Sequence, residues 1–160
     1  MTIKPGDRLP NVDFFVMTAE GKQSMAMDVI FGGRKVVLFA VPGAFTPGCT
    51  KTHLPGFVRE AAAIKAKGVD TIACTSVNDI HVMTAWAEAG GATGRILMLA
   101  DGNATFARAV GLNADKTADG MGERSLRYAM IVEDCVVKVL NVEPKPGINV
   151  SSAETILSLL

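Results

Sequence analysis

No excess of either charge sign runs through this 160-residue sequence: sixteen Lys and Arg offset sixteen Asp and Glu, with a pI of about 6.7. Without a basic excess it offers no electrostatic footprint to phosphate backbones or anionic lipid, so neither nucleic acid nor membrane is an expected partner. Near-zero charge also does little to hold copies apart, which leaves self-association open. Long apolar runs are missing too. The longest, Val36 to Pro42, is far too short to span a bilayer. The opening MTIKPGDRLP has no signal-peptide core and no Arg/Ser-rich amphipathic stretch. Cysteine is scarce: three, an odd number at irregular spacing, unlike a secreted disulfide framework. A cytoplasmic or other reducing compartment is expected. With only His53 and His81 and no Cys-x-x-Cys, a metal site has little support, and no cofactor is expected. Repeats, low-complexity tracts and linkers are absent. Residues 1–160 therefore read as one domain, 49% hydrophobic and 20% charged, with one sizeable core.

What is present alternates between strand and helix. NVDFFVM (Asn11 to Met17) reads as a short strand, and RKVVLFAV (Arg34 to Val41) as a strand buried on both faces. A helix is predicted from about Gly48 to Lys67, with Phe57, Ala61 and Ile64 at helical spacing, Gly68 as its stop and Pro55 kinking it. Val69 to Val77 is the next buried strand. DIHVMTAWAEAG is a helix capped by Asn78 or Asp79, RILMLAD a strand, and ATFARAVGL a short helix ended by Gly111. SLRYAMIVE and VVKVLNVE flank Asp134 and Cys135 as a hairpin, and SSAETILSLL closes the chain as a helix capped by Ser151 or Ser152. This order predicts an α/β protein with a mixed central sheet.

The stretch VPGAFTPGCT (Val41 to Thr50) joins a buried strand to a helix start, where open α/β sheets place ligands. From Gly43 it has the outline of a phosphate-binding loop, but Cys49 stands where that loop needs lysine and Lys51 falls two residues late. The unpartnered N–H groups and dipole of a helix start equally favour a thiolate, the nucleophilic form of cysteine. Thr46 can offer its hydroxyl to the sulfur or to a substrate oxygen, while Pro42 and Pro47 stiffen the loop. The plainer alternative makes Cys49 a small buried residue; its place between Gly48 and a helix start favours the reactive one.

Pro42, Thr46 and Cys49 reproduce the P-x-x-x-[TS]-x-x-C motif of the peroxiredoxins. VPGAFTPGCTKTHLPGF, SVND with VMTAW, RYAMIVED and LNVEP resemble the type II, or peroxiredoxin-five-like, branch, and the resemblance runs over essentially the whole chain. It implies a thioredoxin-like fold whose mixed sheet is flanked by helices. It also implies an antioxidant peroxidase that reduces hydrogen peroxide and organic hydroperoxides through a sulfenic acid on Cys49. By motif, substrate would be met by Thr46, the N–H groups of Gly48 and Cys49, and one arginine. Arg124 and Arg127, three apart, would face opposite sides of a strand. Arg127 directly precedes the aromatic of RYAM and is the expected donor; a surface ion pair suits Arg124 better. His53, one helical turn beyond Cys49, is expected to support the site without touching substrate. Trp86 reads as core or pocket wall.

The resemblance leaves recycling open. Some relatives carry a resolving cysteine just before the last helix, but Val150 occupies that place here. Cys74 lies mid-strand. Roughly 18 helical residues advance about 27 Å and about 5 strand residues return about 17 Å, an axial gap of about 10 Å. With the helix-to-sheet offset added, that exceeds the roughly 7 Å Cα limit for a disulfide without backbone movement. The expected cycle therefore uses one cysteine, reduced by glutathione with glutaredoxin or by thioredoxin, with resolution by Cys74 as the alternative. Cys135 is expected to be exposed and without a role. A redox-sensing interaction protein and a cysteine hydrolase are the competing functions; the latter would need a His with an Asn or Asp oriented on the sulfur. The resemblance also implies a homodimer, with the loop near Phe45 and the Asn78–Asp79 turn at the contact.

Overall fold

The computed structural model describes residues 1–160. Nine strands form: β1 (Phe14–Thr18), β2 (Gly21–Met25), β3 (Lys35–Ala40), β4 (Thr71–Ser76), β5 (Leu97–Ala100), β6 (Asn113–Asp115), β7 (Glu123–Ser125), β8 (Tyr128–Glu133) and β9 (Val136–Val142). Five α-helices accompany them: α1 (Met27–Phe31), α2 (Leu54–Ala66), α3 (Ile80–Ala89), α4 (Thr105–Val110) and α5 (Ala153–Ser158). Seven strands make one sheet in the order β2-β1-β5-β4-β3-β8-β9, parallel over β5-β4-β3 and antiparallel outside it; β6 and β7 pair separately.

The central position of β3 explains its unbroken apolar sequence. Val37 and Phe39 enter the core beneath α2, α3 and α5, while Val36, Leu38 and Ala40 enter the one beneath α1 and α4. A strand covered on both faces has no polar side to present. This layered mixed sheet is the thioredoxin-like fold. The polar edge strand β2, the short helix α1 and the β6–β7 hairpin escape the hydrophobic pattern, because each is largely exposed or very short.

Local chemistry sets the helix ends. Asp79 caps α3 by accepting from the His81 and Val82 N–H groups, and Ser152 caps α5 by accepting from Thr155 N–H. Asp101 reaches past Ala104 to accept from Phe106 and Ala107 at the start of α4.

Two expectations need correction here. Arg124 and Arg127 do not share a strand: Arg124 lies in β7 and Arg127 just before β8. Cys135 is not exposed but 1% accessible. It sits with Asp134 in a hairpin turn of left-handed backbone (φ 66° and 47°), which turns its side chain inward. The N-terminal segment seals it, with Leu9 N–H donating to Cys135 O at 2.8 Å and Ile3 and Leu9 in the same apolar cluster.

Candidate active site

The strand β3 ends at Ala40 and the chain turns sharply before helix begins at Pro47. Proline suits the first helical position, where its missing N–H is not needed. Thr46 O accepts from Thr50 N–H at 3.0 Å, opening the helical ladder. Cys49 thus lies in the first turn, where N–H groups have no intrahelical partner.

The next five residues, Cys49–His53, are π-helical rather than α-helical, with Leu54 N–H reaching back to Cys49 O. Pro55 explains the widening. It has no N–H for Lys51 O and its ring would crowd that carbonyl in a regular α-helix. The predicted kink therefore falls on the turn that carries Cys49. Trp86, fully buried, fixes this turn by donating Nε1–H to Thr50 Oγ1 at 3.0 Å.

Cys49 is buried, and its sulfur has two polar neighbours. Thr46 Oγ1 lies 2.8 Å away and Arg127 Nη2 donates from 3.2 Å. Thr46 Oγ1 is also 2.7 Å from Gly43 O. A hydroxyl has one proton, so it serves either the carbonyl or a thiolate, and when it serves the carbonyl its lone pairs face the sulfur side. Gly48 leaves room for the arginine: a Cβ there would stand 3.4 Å from Arg127 Nη2.

The half-buried Arg127 has no carboxylate within ion-pairing distance, and one of its terminal nitrogens is turned to the sulfur instead. Its other terminal nitrogen donates to His53 Nδ1 at 2.8 Å, and His53 Nε2 lies 2.8 Å from Ser151 O. Arginine can only donate and a carbonyl can only accept, so the ring is neutral with its proton on Nε2. Burial holds the His53 pKa down to about 4, with the Arg127 charge adding to it and the Ser151 carbonyl working against it. Both ring nitrogens are occupied, so His53 is no base for the thiol and the hydrolase arrangement is absent.

Arg124, expected in a surface ion pair, is instead half-buried beneath the loop. It donates to Met121 O at 2.9 Å and Val77 O at 3.2 Å, and its Nη1 would lie 3.2 Å from a Cβ on Gly43. Pro42 and Arg127 share a cleft of about 370 Å³ with Lys116, Glu143 and Lys145. Sequence reasoning gave Ser151 only a capping role and Glu143 none. Glu143 Oε2 accepts from Ser151 N–H (2.8 Å), Ser151 Oγ–H (2.6 Å) and Asn149 N–H (2.8 Å). Burial pushes its carboxyl pKa up, but these hydrogen bonds outweigh burial and hold it below the usual range.

Cys49, Cys74 and Cys135 are all free thiols. Cys74 lies mid-strand in β4, opposite Phe39 and Met98, in the same apolar cluster as Cys49. Burial, with the nearby Cys49, pushes its pKa well up, so it stays a thiol.

The Redoxin family model matches residues 4–157. Among curated proteins, the chain is 47% identical to Peroxiredoxin-2E-2, chloroplastic, of Oryza sativa subsp. japonica, over 99% of this chain and 73% of that protein. It is 41% identical to Peroxiredoxin-2E, chloroplastic, of Arabidopsis thaliana, over 99% of this chain and 70% of that protein. Among solved structures, reduced Prx3 of Vibrio vulnificus in complex with H2O2 superposes with a TM-score of 0.95 at 52% identity, covering 99% of both chains. The two chloroplastic relatives overturn the expectation of a cytoplasmic compartment. A low, odd cysteine count reports reducing conditions, which do not single out one compartment.

Proposed function

Given that the chain belongs to the peroxiredoxin family, we propose that Cys49 is its peroxidatic cysteine and that Thr46, Arg127 and the Gly48–Cys49 backbone form the peroxide site. The enzyme is a thiol-specific peroxidase of the type II kind. The observation that carries the assignment is the paired approach of Thr46 Oγ1 and Arg127 Nη2 to one buried sulfur, at 2.8 and 3.2 Å.

In the proposed reaction the Cys49 thiolate attacks one oxygen of the hydroperoxide. An S–O bond forms, the O–O bond breaks, and sulfur is oxidised by two electrons to a sulfenic acid. The second oxygen leaves with the electron pair and takes a proton from solvent, giving water or an alcohol. Negative charge builds on that oxygen in the transition state, where the Arg127 guanidinium and the first-turn N–H groups can meet it. Thr46 has the complementary task. With its proton on Gly43 O, its oxygen can accept the peroxide O–H and turn the substrate toward the sulfur. Pro42 walls the site. That a 52% identical protein forms a complex with H2O2 supports hydrogen peroxide as a substrate.

Recycling is proposed to use external thiol: glutathione with glutaredoxin, or thioredoxin. A first thiol condenses with the sulfenic acid, releasing water, and a second displaces Cys49 from the mixed disulfide. A buried Cys74 held as a thiol suits a structural role. A homodimer is proposed through the loop around Phe45. That residue is 53% exposed on a left-handed backbone, and Ala44 N–H donates to Asn78 Oδ1 at 2.9 Å, joining the loop to the Asn78–Asp79 turn in one patch.

The test is intact mass after one equivalent of hydrogen peroxide, with and without a sulfenic-acid trap, on wild type, C49S and C74S. A trapped adduct in wild type and C74S, absent from C49S, is expected. Loss of two hydrogens without an adduct would assign resolution to Cys74, and reaction of C49S would refute the assignment of the sulfur. Light scattering of wild type and Phe45→Glu tests the dimer.

A further inference from the structure

We infer that Glu143 is a positioning residue for the peroxidase reaction, acting through Ser151 and His53 to hold Arg127 on the sulfur. The inference rests on the Cys49 site proposed above and deepens it.

The observation is a closed circuit of hydrogen bonds. Glu143 N–H donates to Arg127 O at 3.0 Å, which makes the two residues cross-strand neighbours just beyond the β8–β9 ladder. The Glu143 carboxylate binds Ser151 through both N–H and Oγ–H, and Asn149 through N–H, so three donors converge on one oxygen. Ser151 O then accepts from His53 Nε2, and His53 Nδ1 accepts from Arg127 Nη1. The circuit ends on the residue where it began, and the other terminal arginine nitrogen, Nη2, meets Cys49 Sγ.

Each link limits the next. The position of Ser151 O decides which His53 nitrogen carries the proton, because Nε2 must donate to it. Only that tautomer offers Nδ1 as an acceptor to a group that has nothing but donors. If the 149–151 turn is released, Ser151 O is no longer held against Nε2. The other tautomer would then point an N–H at the guanidinium and push it from the sulfur. Glu143 is suited to the task because its Oε2 takes all three donors, while its buried Oε1 has no protein partner.

A mere staple for the chain before α5 would also cost stability when removed, so the test must read chemistry. The second-order rate of Cys49 with hydrogen peroxide is measured beside its alkylation by iodoacetamide in wild type, E143A, E143Q and C49S. Alkylation needs the thiolate but develops no charge on a peroxide oxygen. Both reactions are run at a pH that ionises the thiol in every variant, so that withdrawal of Arg127 does not slow them alike through the thiolate fraction. Expected is a fall of about 10- to 100-fold in the peroxide rate of E143A, as for a donor displaced by about 1 Å. Its alkylation rate should stay within about threefold or rise, and E143Q, which keeps an acceptor oxygen, should recover to within about fivefold of wild type.

A peroxide rate in E143A within about threefold of wild type, or equal falls in both reactions, would overturn the inference while leaving Cys49 in place. E143Q as slow as E143A would overturn the acceptor argument. Peroxide reaction in C49S would bring down the site itself and the inference with it. Should E143A fail to fold, E143D keeps the charge but withdraws the carboxylate by one methylene, and it must show the same selective loss.

Discussion

Protonation of His53 should weaken the fold by a calculable amount. The ring is 1% exposed, and its pKa falls from 6.5 to about 4 because burial, and then the Arg127 charge, disfavour the imidazolium. Between those values the unfolded chain takes up a proton that the native ring refuses. The unfolded state then binds more protons, so stability falls as pH falls, from full strength above 6.5 to the whole penalty near 4. At about 1.4 kcal/mol per pH unit the contribution is about 3 kcal/mol. The informative perturbation is His53→Gln, whose amide offers one donor and one acceptor in place of the two ring nitrogens and does not titrate. It loses ring packing on Phe39 and Phe57, whose centroids lie 5.0 and 5.6 Å from that of His53, so it should be the less stable protein at pH 7. By pH 4 that deficit should close or reverse, moving by about 3 kcal/mol relative to wild type. Urea unfolding followed by Trp86 fluorescence at pH 7, 6, 5 and 4 measures the difference, and carboxylates common to both proteins largely cancel in it. A stability difference that stays within about 0.5 kcal/mol across this range would refute the neutral, doubly hydrogen-bonded ring.

Three further outcomes are expected. Thr46→Val should lower kcat/KM for peroxide by about 10²- to 10³-fold, whereas Thr46→Ser should stay within about tenfold, both read by stopped-flow peroxide consumption. Arg127→Lys should lose about 10²-fold in the same assay, because a single ammonium cannot bind His53 Nδ1 and the sulfur site at once. Gly111→Ala should lower the Tm by about 4 °C or more, since φ is +72° there and a Cβ would stand 2.2 Å from Met1 O.

The legible part of the fold was the part whose burial leaves a periodic mark. The central strands β3 and β4 show as apolar runs because both faces are covered, and α2 and α3 show through residues at helical spacing. The edge strand β2 reads GKQSM with its middle residues exposed, so no hydrophobic pattern announces it. Cys135 was misplaced for a related reason. A turn residue reads as exposed until the strap that covers it is known, and residues 3–9 become that strap only through pairing across more than a hundred residues of sequence.

The site divides along the same line. Pro42, Thr46, Gly48 and Cys49 sit at one strand-to-helix junction, so their chemistry could be read from local spacing. Arg127 could be chosen over Arg124 by motif and by its place between Leu126 and Tyr128 at the start of an apolar strand. What separates them in space is that Arg124 turns to Met121 and Val77 while Arg127 turns to the sulfur. The support behind Arg127 left no local signal. His53 lies 74 residues from Arg127 and 98 from Ser151. Glu143 and Ser151 are only eight apart, but they matter to the sulfur only through that distant histidine. A hydrogen bond across such a separation imposes no periodicity on either segment; it asks only for a donor and an acceptor. Sequence spacing can therefore find the reacting sulfur, whereas the geometry that holds an arginine beside it emerges only when the sheet has brought the ends of β8 and β9 against the Cys49 helix.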